Sequence, residues 1–233
     1  MPESAQRTAR IAGLWLIGTF VFSIPALLLY DPVLNDTGYV LEGGFDTRIS
    51  TGALLEILTA IANIATAVVL FPILRRVSES VALGYVALRI VESTVIVMGL
   101  VSLMSVVTLR EDLAGAAAGS SLSVAGHTLV AFHDWTFLLG PQFCAGFGTG
   151  LLLGYLMYTS ELVPRRMAML GLIGGPLAFA GGVLVLMGAL DQPSPALFAF
   201  TAIEIAWEAS LGLYLTFKGF RPAAPVLSLQ PAA

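Results

Sequence analysis

The chain has 233 residues and a net charge of −4, and 57% of its residues are hydrophobic while only 11% are charged. A soluble domain carries about 25% charged residues, so this composition excludes an ordinary soluble domain and predicts an integral membrane protein in a lipid bilayer. The absence of a basic excess argues against nucleic acid as a partner, and the single cysteine, Cys144, excludes an intrachain disulfide.

Six apolar segments are each long enough to cross the hydrocarbon of a bilayer, which takes about 20 residues. Charged residues or turn formers separate them, as at Asp31-Pro32 and Arg75-Arg76. We therefore predict an all-α fold, a bundle of six transmembrane helices that forms one integral membrane domain over residues 1–233. The predicted spans are about 11–30, 50–74, 81–109, 136–158, 167–190 and 196–217.

Basic residues are distributed unequally between the two ends of the predicted bundle. Only Arg48 and Arg110 lie at the end opposite the termini, where the loops are acidic. The positive-inside rule then predicts a multi-pass protein of the cytoplasmic membrane with both termini in the cytoplasm. The basic residues at the end with the termini are Arg7, Arg10, Arg75, Arg76, Arg165, Arg166, Lys218 and Arg221.

Glycines on the fourth span predict a close helix contact. Gly146, Gly150 and Gly154 are spaced by four residues, so they lie on one helix face. A strip of small residues lets another helix approach closely. Because the fifth span carries Gly171 and Gly175, we expect spans four and five to pack together.

The third span contains charged residues inside an apolar run. Tyr85, Arg89, Glu92 and Ser93 are three or four residues apart, so they share one helix face. An ionisable residue at this depth is costly and is usually kept where other protein groups pair with it. This face therefore predicts a polar interior, shielded from lipid by the other helices.

Polar residues on other spans come out at matching depths when about 1.5 Å is counted per residue. Arg89 and Glu208 both lie about 15 Å from the basic end. Asn63 lies at about 18 Å and Glu92 and Glu204 at about 20 Å, whereas Gln142 and Glu56 lie further out, toward the opposite end. The predicted ligand-binding or proton-binding cluster consists of Arg89, Glu92, Glu204, Glu208, Asn63, Glu56, Tyr85 and Gln142.

The charges of this cluster do not balance. One arginine, which stays charged, faces the three core carboxylates of Glu92, Glu204 and Glu208. Unpaired buried charge is very unfavourable, so we expect at least one of these carboxylates to be protonated at neutral pH. We also expect Arg89 to pair with Glu208 across helices, because a pair with Glu92 on the same helix would leave Glu208 alone.

A second group of polar residues precedes the fourth span. His133, Asp134 and His127 could bind a metal ion with Glu56 as a further ligand. The two histidines are six residues apart and do not share a helix face, and the chain has no His-Glu-x-x-His motif. We therefore favour interfacial polar residues beside Trp135, and we predict no metal site.

Three local patterns occur in order along the chain. They are Ala-Leu-Arg89-Ile-Val-Glu92-Ser, Leu-Gly154-Tyr-Leu-Met-Tyr-Thr-Ser160-Glu-Leu-Val-Pro164-Arg-Arg, and Glu208-Ala-Ser-Leu-Gly-Leu-Tyr-Leu-Thr-Phe-Lys218-Gly-Phe. With them the chain resembles, over about residues 8–221, the bacterial family of multi-pass membrane proteins catalogued as domain of unknown function 4386. The resemblance implies an integral membrane protein and assigns neither an activity nor catalytic residues.

Three functions are compatible with the polar cluster. The first is a protein that binds or moves a small ligand, a cation or protons through a polar intramembrane cavity. The second is an intramembrane enzyme that acts on a lipid or another apolar substrate, with a glutamate as general acid. The third is a structural or partner-binding membrane subunit. The residue pattern assigns no cofactor and no oligomeric state.

Overall fold

Six long helices account for most of the computed structural model, which describes residues 3–36, 38–42, 44, 46–113 and 119–228. Each helix is long and apolar enough to cross a bilayer, and the described residues contain no strand. The prediction of an all-α membrane bundle with six spans is confirmed. The helices are α1 (Glu3–Leu29), α2 (Thr47–Leu74), α3 (Glu79–Asp112), α4 (Gly119–Ser160), α5 (Arg165–Leu186) and α6 (Pro195–Phe217).

The helices form a closed ring. Each helix packs against its neighbours in sequence, and α6 packs against α1. Both ends of the chain meet on one side, where Gln6 Nε2 donates to the carbonyl oxygen of Phe220 over 2.9 Å. The backbone N–H of Phe220 donates in return to Gln6 Oε1 over 3.1 Å. We call this side the termini end and the opposite side the distal end.

Local sequence explains where two of these helices begin. Asp46 precedes α2, and its side chain accepts a hydrogen bond from the backbone N–H of Arg48 over 2.8 Å. Ser194 precedes α6, and its Oγ accepts from the backbone N–H of Leu197 over 3.2 Å. Pro195 follows as the first helical residue, where its missing N–H costs nothing. Such caps satisfy N–H groups that have no partner within the helix.

The outer surface of the ring is apolar. Water would disfavour so large an exposed apolar surface, whereas lipid chains accommodate it. This surface therefore faces the bilayer, and charged side chains such as those of Arg89, Glu92 and Glu204 are buried in the interior. Large apolar residues exposed on it include Leu14, Val21, Leu28, Leu54, Val68, Leu83, Val101, Phe198 and Leu213.

The fourth helix differs from its predicted span. It begins at Gly119, well before the predicted start near residue 136, and its middle part, Leu138–Leu153, is wound as a π-helix. Pro141 lies in this part and has no N–H to donate to the regular α-helical ladder. This wider winding is not apparent from the sequence patterns, and in other proteins it is frequent at functional sites.

The glycine strip of α4 packs against α5, as predicted. A Cβ atom on Gly146 would lie 3.0 Å from the carbonyl oxygen of Gly175, and one on Gly150 would collide with the Cα atom of Gly175. The two backbones are therefore in direct contact. Gly174 faces α6 instead, because a Cβ atom there would lie 2.6 Å from the backbone nitrogen of Glu204.

Candidate functional site

Arg89 on α3 is the centre of a buried hydrogen-bonded group inside the ring. Its Nη1 donates to Glu92 Oε2 over 2.8 Å, and its Nη2 donates to Asn63 Oδ1 over 2.5 Å. Asn63 Nδ2 in turn donates to Glu92 Oε1 over 3.1 Å. The side chains of Arg89 and Glu92 are only 2% and 5% exposed. The three residues form a closed triangle in which both oxygens of Glu92 accept hydrogen bonds, so the two buried charges offset each other.

A carboxylate on α6 lies at the edge of this triangle. Glu208 Oε1 is 3.9 Å from Arg89 Nη1, and the oxygen has no hydrogen-bond partner among the described residues. The predicted ion pair of Arg89 with Glu208 is therefore present only at long range, and the hydrogen-bonded partner of Arg89 is Glu92, which the prediction had placed second. The i, i+3 spacing brings Glu92 within reach of Arg89 on one helix, whereas contact with Glu208 depends on how α3 and α6 pack.

Thr149 on α4 also belongs to this group, although it was not among the predicted site residues. Arg89 Nη1 donates to Thr149 Oγ1 over 3.0 Å, and Trp207 Nε1 donates to the carbonyl oxygen of Thr149 over 2.9 Å. Thr149 is the one hydroxyl residue in the stretch of small and apolar residues from 143 to 154. An isolated hydroxyl group in such a stretch is the sequence feature that indicates a buried polar contact at Thr149.

Glu204 lies on α6, one helical turn from Glu208, and its carboxyl group has an unusual environment. Both of its oxygens are buried, and neither has a hydrogen-bond partner within the described ranges. A Cβ atom on Gly150 would lie 2.6 Å from Glu204 Oε2, so the carboxyl group rests directly against the backbone of α4. The α4 and α5 glycines provide the space that this side chain occupies.

Two other predicted residues are buried without a hydrogen bond to the Arg89 triangle. Gln142 Nε2 donates to the carbonyl oxygen of Ala178 over 2.6 Å and lies 3.4 Å from Thr201 Oγ1. Tyr85 is fully buried one turn before Arg89, and its hydroxyl group has no partner in the described part of the chain. Gln142 therefore stabilises the contact of α4 with α5 and α6. The Tyr85 hydroxyl group is a buried polar group one helical turn from Arg89, on the side of the termini end.

Glu56 belongs to a different polar group, nearer the distal end. The Tyr30 hydroxyl donates to Glu56 Oε2 over 2.8 Å. Burial raises the pKa of Tyr30 above its ordinary value, and the charge of Glu56 and the hydrogen bond to it act in the same direction. Tyr30 therefore stays protonated as a donor. Tyr30 was not among the predicted site residues, because it ends the first apolar run and lies 26 residues from its partner.

His133 is buried beside this pair. Its ring meets the Tyr30 ring edge-on, with centroids 6.1 Å apart. Its Nδ1 lies 3.6 Å from Asp134 Oδ1 and has no hydrogen-bond partner among the described residues. A cavity of about 10 Å³ is lined by His133 and Glu56, whereas His127 lines a separate cavity of about 30 Å³. In the described ranges no three His, Cys, Asp or Glu side chains are grouped closely enough to hold a metal ion.

One family model matches nearly the whole bundle. The match covers residues 11–219 and is described as Domain of unknown function (DUF4386). The chain belongs to this family. No curated protein and no solved structure shows a significant match. The resemblance found from the sequence patterns is confirmed. Membership in DUF4386 assigns no activity.

A further set of charges joins the distal loops of this DUF4386 chain. Arg110 Nη2 donates to Glu42 Oε2 over 3.0 Å, and its guanidinium carbon lies 4.1 Å from the centre of the Tyr39 ring. Tyr39 donates through its hydroxyl to Asp46 Oδ2 over 3.1 Å. Burial raises the pKa of Tyr39 to about 12, with Asp46 adding to the rise and Arg110 opposing it. These contacts hold the loop between α1 and α2 against the end of α3.

Proposed function

We propose that this protein binds protons inside the membrane and moves them across it, with Glu204 as the proton-carrying group. The observation that carries the proposal is the buried Glu204 carboxyl group, which has neither a hydrogen bond nor a cation within ion-pair distance among the described residues. An ionised carboxylate in this position would lose its hydration without compensation. A bound proton removes that charge, and intramembrane carboxyl groups of this kind are typical of proton pathways.

The neighbouring charges support release as well as uptake of the proton. Arg89 stays charged, and its ion pair with Glu92 already offsets most of that charge. Glu208 adds a second carboxylate 3.9 Å from the same guanidinium nitrogen. Glu204 and Glu208 are one helical turn apart on α6, so a negative charge on either carboxyl group disfavours a negative charge on the other.

A proton fits this site better than a metal ion does. Calcium and magnesium ions take six or more oxygen ligands at short distances. The Glu204 carboxyl group rests against Gly150, which has no side-chain oxygen to offer, and neither carboxyl oxygen has a hydrogen-bond partner in the described part of the chain. A single oxygen is enough to hold a proton.

Glu204→Gln tests the proposal with two measurements. Infrared difference spectra of the wild type at neutral pH should show the band of a protonated carboxylic acid, and the variant should lack it. In liposomes with an imposed pH gradient, the wild type should carry protons, and the variant should fall to the level of protein-free liposomes. Both results are expected because the amide of glutamine has the shape of the acid but cannot release a proton.

The matched control is Glu111→Gln, which makes the same chemical change at an exposed position on α3. Its infrared band and its proton flux should equal those of the wild type. Proton flux in wild-type liposomes that Glu204→Gln leaves unchanged would exclude Glu204 as the carrier.

A scaffolding role is the second candidate, and the Arg89 triangle favours it. Arg89 donates to Glu92 on its own helix, to Asn63 on α2 and to Thr149 on α4. These bonds fix the relative positions of three helices, as buried polar groups do in some proteins. Wild-type protein that carries no protons, and that needs a co-purifying partner for its phenotype, would favour this second function.

The distribution of basic residues supports a fixed orientation in the cytoplasmic membrane, with the termini end in the cytoplasm. Reporter fusions should therefore give cytoplasmic signals after Arg76, after Arg166 and at the C-terminus. Fusions after Asp46, Asp112 and Pro193 should give external signals. A cytoplasmic signal from any of the last three would contradict this orientation.

A further inference from the structure

The group formed by Glu56, His133 and Thr136 is not used by the proton site at Glu204. These residues line the cavity of about 10 Å³ nearer the distal end, together with the apolar residues Ile96, Phe137 and Pro141. His133 and Thr136 are buried, and His133 Nδ1 has no hydrogen-bond partner in the described part of the chain. A buried polar atom without a protein partner is rare, and in many proteins such an atom bonds to an ordered water molecule.

Two glycines make this group possible. A Cβ atom on Gly99 of α3 would collide with Thr136 Oγ1 and would lie 3.3 Å from His133 Cδ2. A Cβ atom on Gly52 of α2 would lie 2.7 Å from the ring of Tyr30. Because Gly99 lacks a side chain, α4 comes close enough to α3 for His133 to share a cavity with Glu56, and Gly52 leaves the space that the Tyr30 ring occupies. The cavity is thus lined by side chains from three helices.

The cavity has the size and the polar partners that one water molecule requires. A buried water needs roughly 10–15 Å³ of accessible space and two to four polar partners. The carboxylate of Glu56 accepts, and so does Thr136 Oγ1, whose own proton is donated to the carbonyl oxygen of His133 over 2.6 Å. His133 Nδ1 supplies a third partner.

We propose that Glu56, His133 and Thr136 bind one water molecule and form a second proton-binding site, the distal station of the pathway that leads to Glu204. The inference rests on the proposed function.

Asp134, whose side chain is 56% exposed, lies 3.6 Å from His133 Nδ1 and connects the site to the distal solution. The titratable groups that face the site are Tyr30 beyond α1, Glu56 on α2, and His133 and Asp134 on α4. The lining residue from α3 is Ile96, which does not titrate.

The proton transfer at this site conserves both protons and charge. The protonated imidazole of His133 donates its Nδ1 proton to the water, and the water gives one of its own protons to the Glu56 carboxylate. The imidazole and the carboxyl group are both neutral afterwards, and the water molecule is unchanged. The Tyr30 hydroxyl keeps its bond to Glu56 Oε2 and orients the carboxyl group throughout.

A density map of the purified protein at a resolution that shows ordered water tests the binding site directly. The expected result is a water peak within hydrogen-bond distance of both the Glu56 carboxylate and His133 Nδ1. The peak should be lost in Thr136→Val, which keeps the shape of the side chain but removes one partner. A direct contact between Glu56 and His133, or a cavity without a peak, would overturn the site.

Proton flux in liposomes tests the role of this site and separates it from the role of Glu204. Glu56→Gln and His133→Gln should each slow the flux by about a hundredfold, the lower value usual for loss of a proton-transferring group. Glu56→Gln keeps an acceptor for Tyr30, so it should fold, and unchanged melting in detergent confirms this. The matched control is again Glu111→Gln, which should match the wild type.

Two outcomes would overturn the inference in different ways. If Glu204→Gln abolishes the flux while Glu56→Gln and His133→Gln retain it, the second station is wrong and the proposed function stands. If the wild type carries no protons at all, the proposed function fails and the second station fails with it.

Discussion

Arg89→Leu is expected to destabilise the bundle by about 3 kcal/mol or more, because removing one partner of a buried ion pair leaves the other charge uncompensated. Glu92 would lose its cation, and Asn63 and Thr149 would each lose a hydrogen-bond donor. Leucine fills much of the volume but offers no donor to these groups. Denaturant unfolding in detergent, compared with the wild type, measures the loss.

A pair of double-mutant cycles identifies the partner of Arg89. Adding Glu92→Leu to Arg89→Leu should recover much of the lost stability, since neither charge is then left alone. The matched cycle with Glu208→Leu should show a smaller coupling energy. Glu208 lies 3.9 Å from Arg89 Nη1, beyond hydrogen-bond distance, whereas Glu92 lies 2.8 Å from the same atom, so the attraction to Glu208 is weaker. A larger coupling energy with Glu208 than with Glu92 would contradict the hydrogen bonds described above.

Gly150→Leu is expected to cost about 3 kcal/mol, the upper value usual for forcing extra volume into a packed core. A Cβ atom at this position already collides with the Cα atom of Gly175 and would lie 2.6 Å from Glu204 Oε2. A leucine must therefore separate α4 from α5 and displace the Glu204 carboxyl group. Thermal melting in detergent should show the loss of stability, and proton flux should fall as well.

Gly119→Leu provides the matched control for this substitution. Gly119 is on the same helix, and no atom lies within 4 Å of a Cβ built there. Its melting temperature should stay close to that of the wild type. An unchanged melting temperature in Gly150→Leu would show that the contact between α4 and α5 is loose, and the packing described here would be wrong.

The number of spans could be predicted from the sequence, because lipid imposes a length and an apolar composition on every segment that crosses it. The predicted ends of the second and sixth spans, at residues 74 and 217, agree with the ends of α2 and α6. The long fourth helix was predicted less well. Its first half contains polar and small residues that hydropathy does not assign to a span, and helices are not limited to the part that lies in lipid.

The burial of Arg89, Glu92 and Glu204 also followed from the sequence. Charge is so unfavourable in lipid that these side chains had to face the interior of the ring, and as whole residues all three are at most 4% exposed. The contact between α4 and α5 followed from the glycine spacing for a similarly strong reason, because few sequences other than small-residue strips allow helix backbones to touch.

Tertiary packing was needed to establish which polar groups contact each other. Counting residues along a helix measures depth, but it measures neither the distance between two helix axes nor the rotation of each helix about its own axis. For this reason equal depths suggested Glu208 as the main partner of Arg89, whereas in the structure Glu208 is a distant ion-pair partner and the hydrogen bonds go to Glu92 and Thr149. The pairing of Tyr30 with Glu56 depends in the same way on tertiary packing, because Tyr30 follows the end of α1 and its position against α2 is set by how these two helices pack.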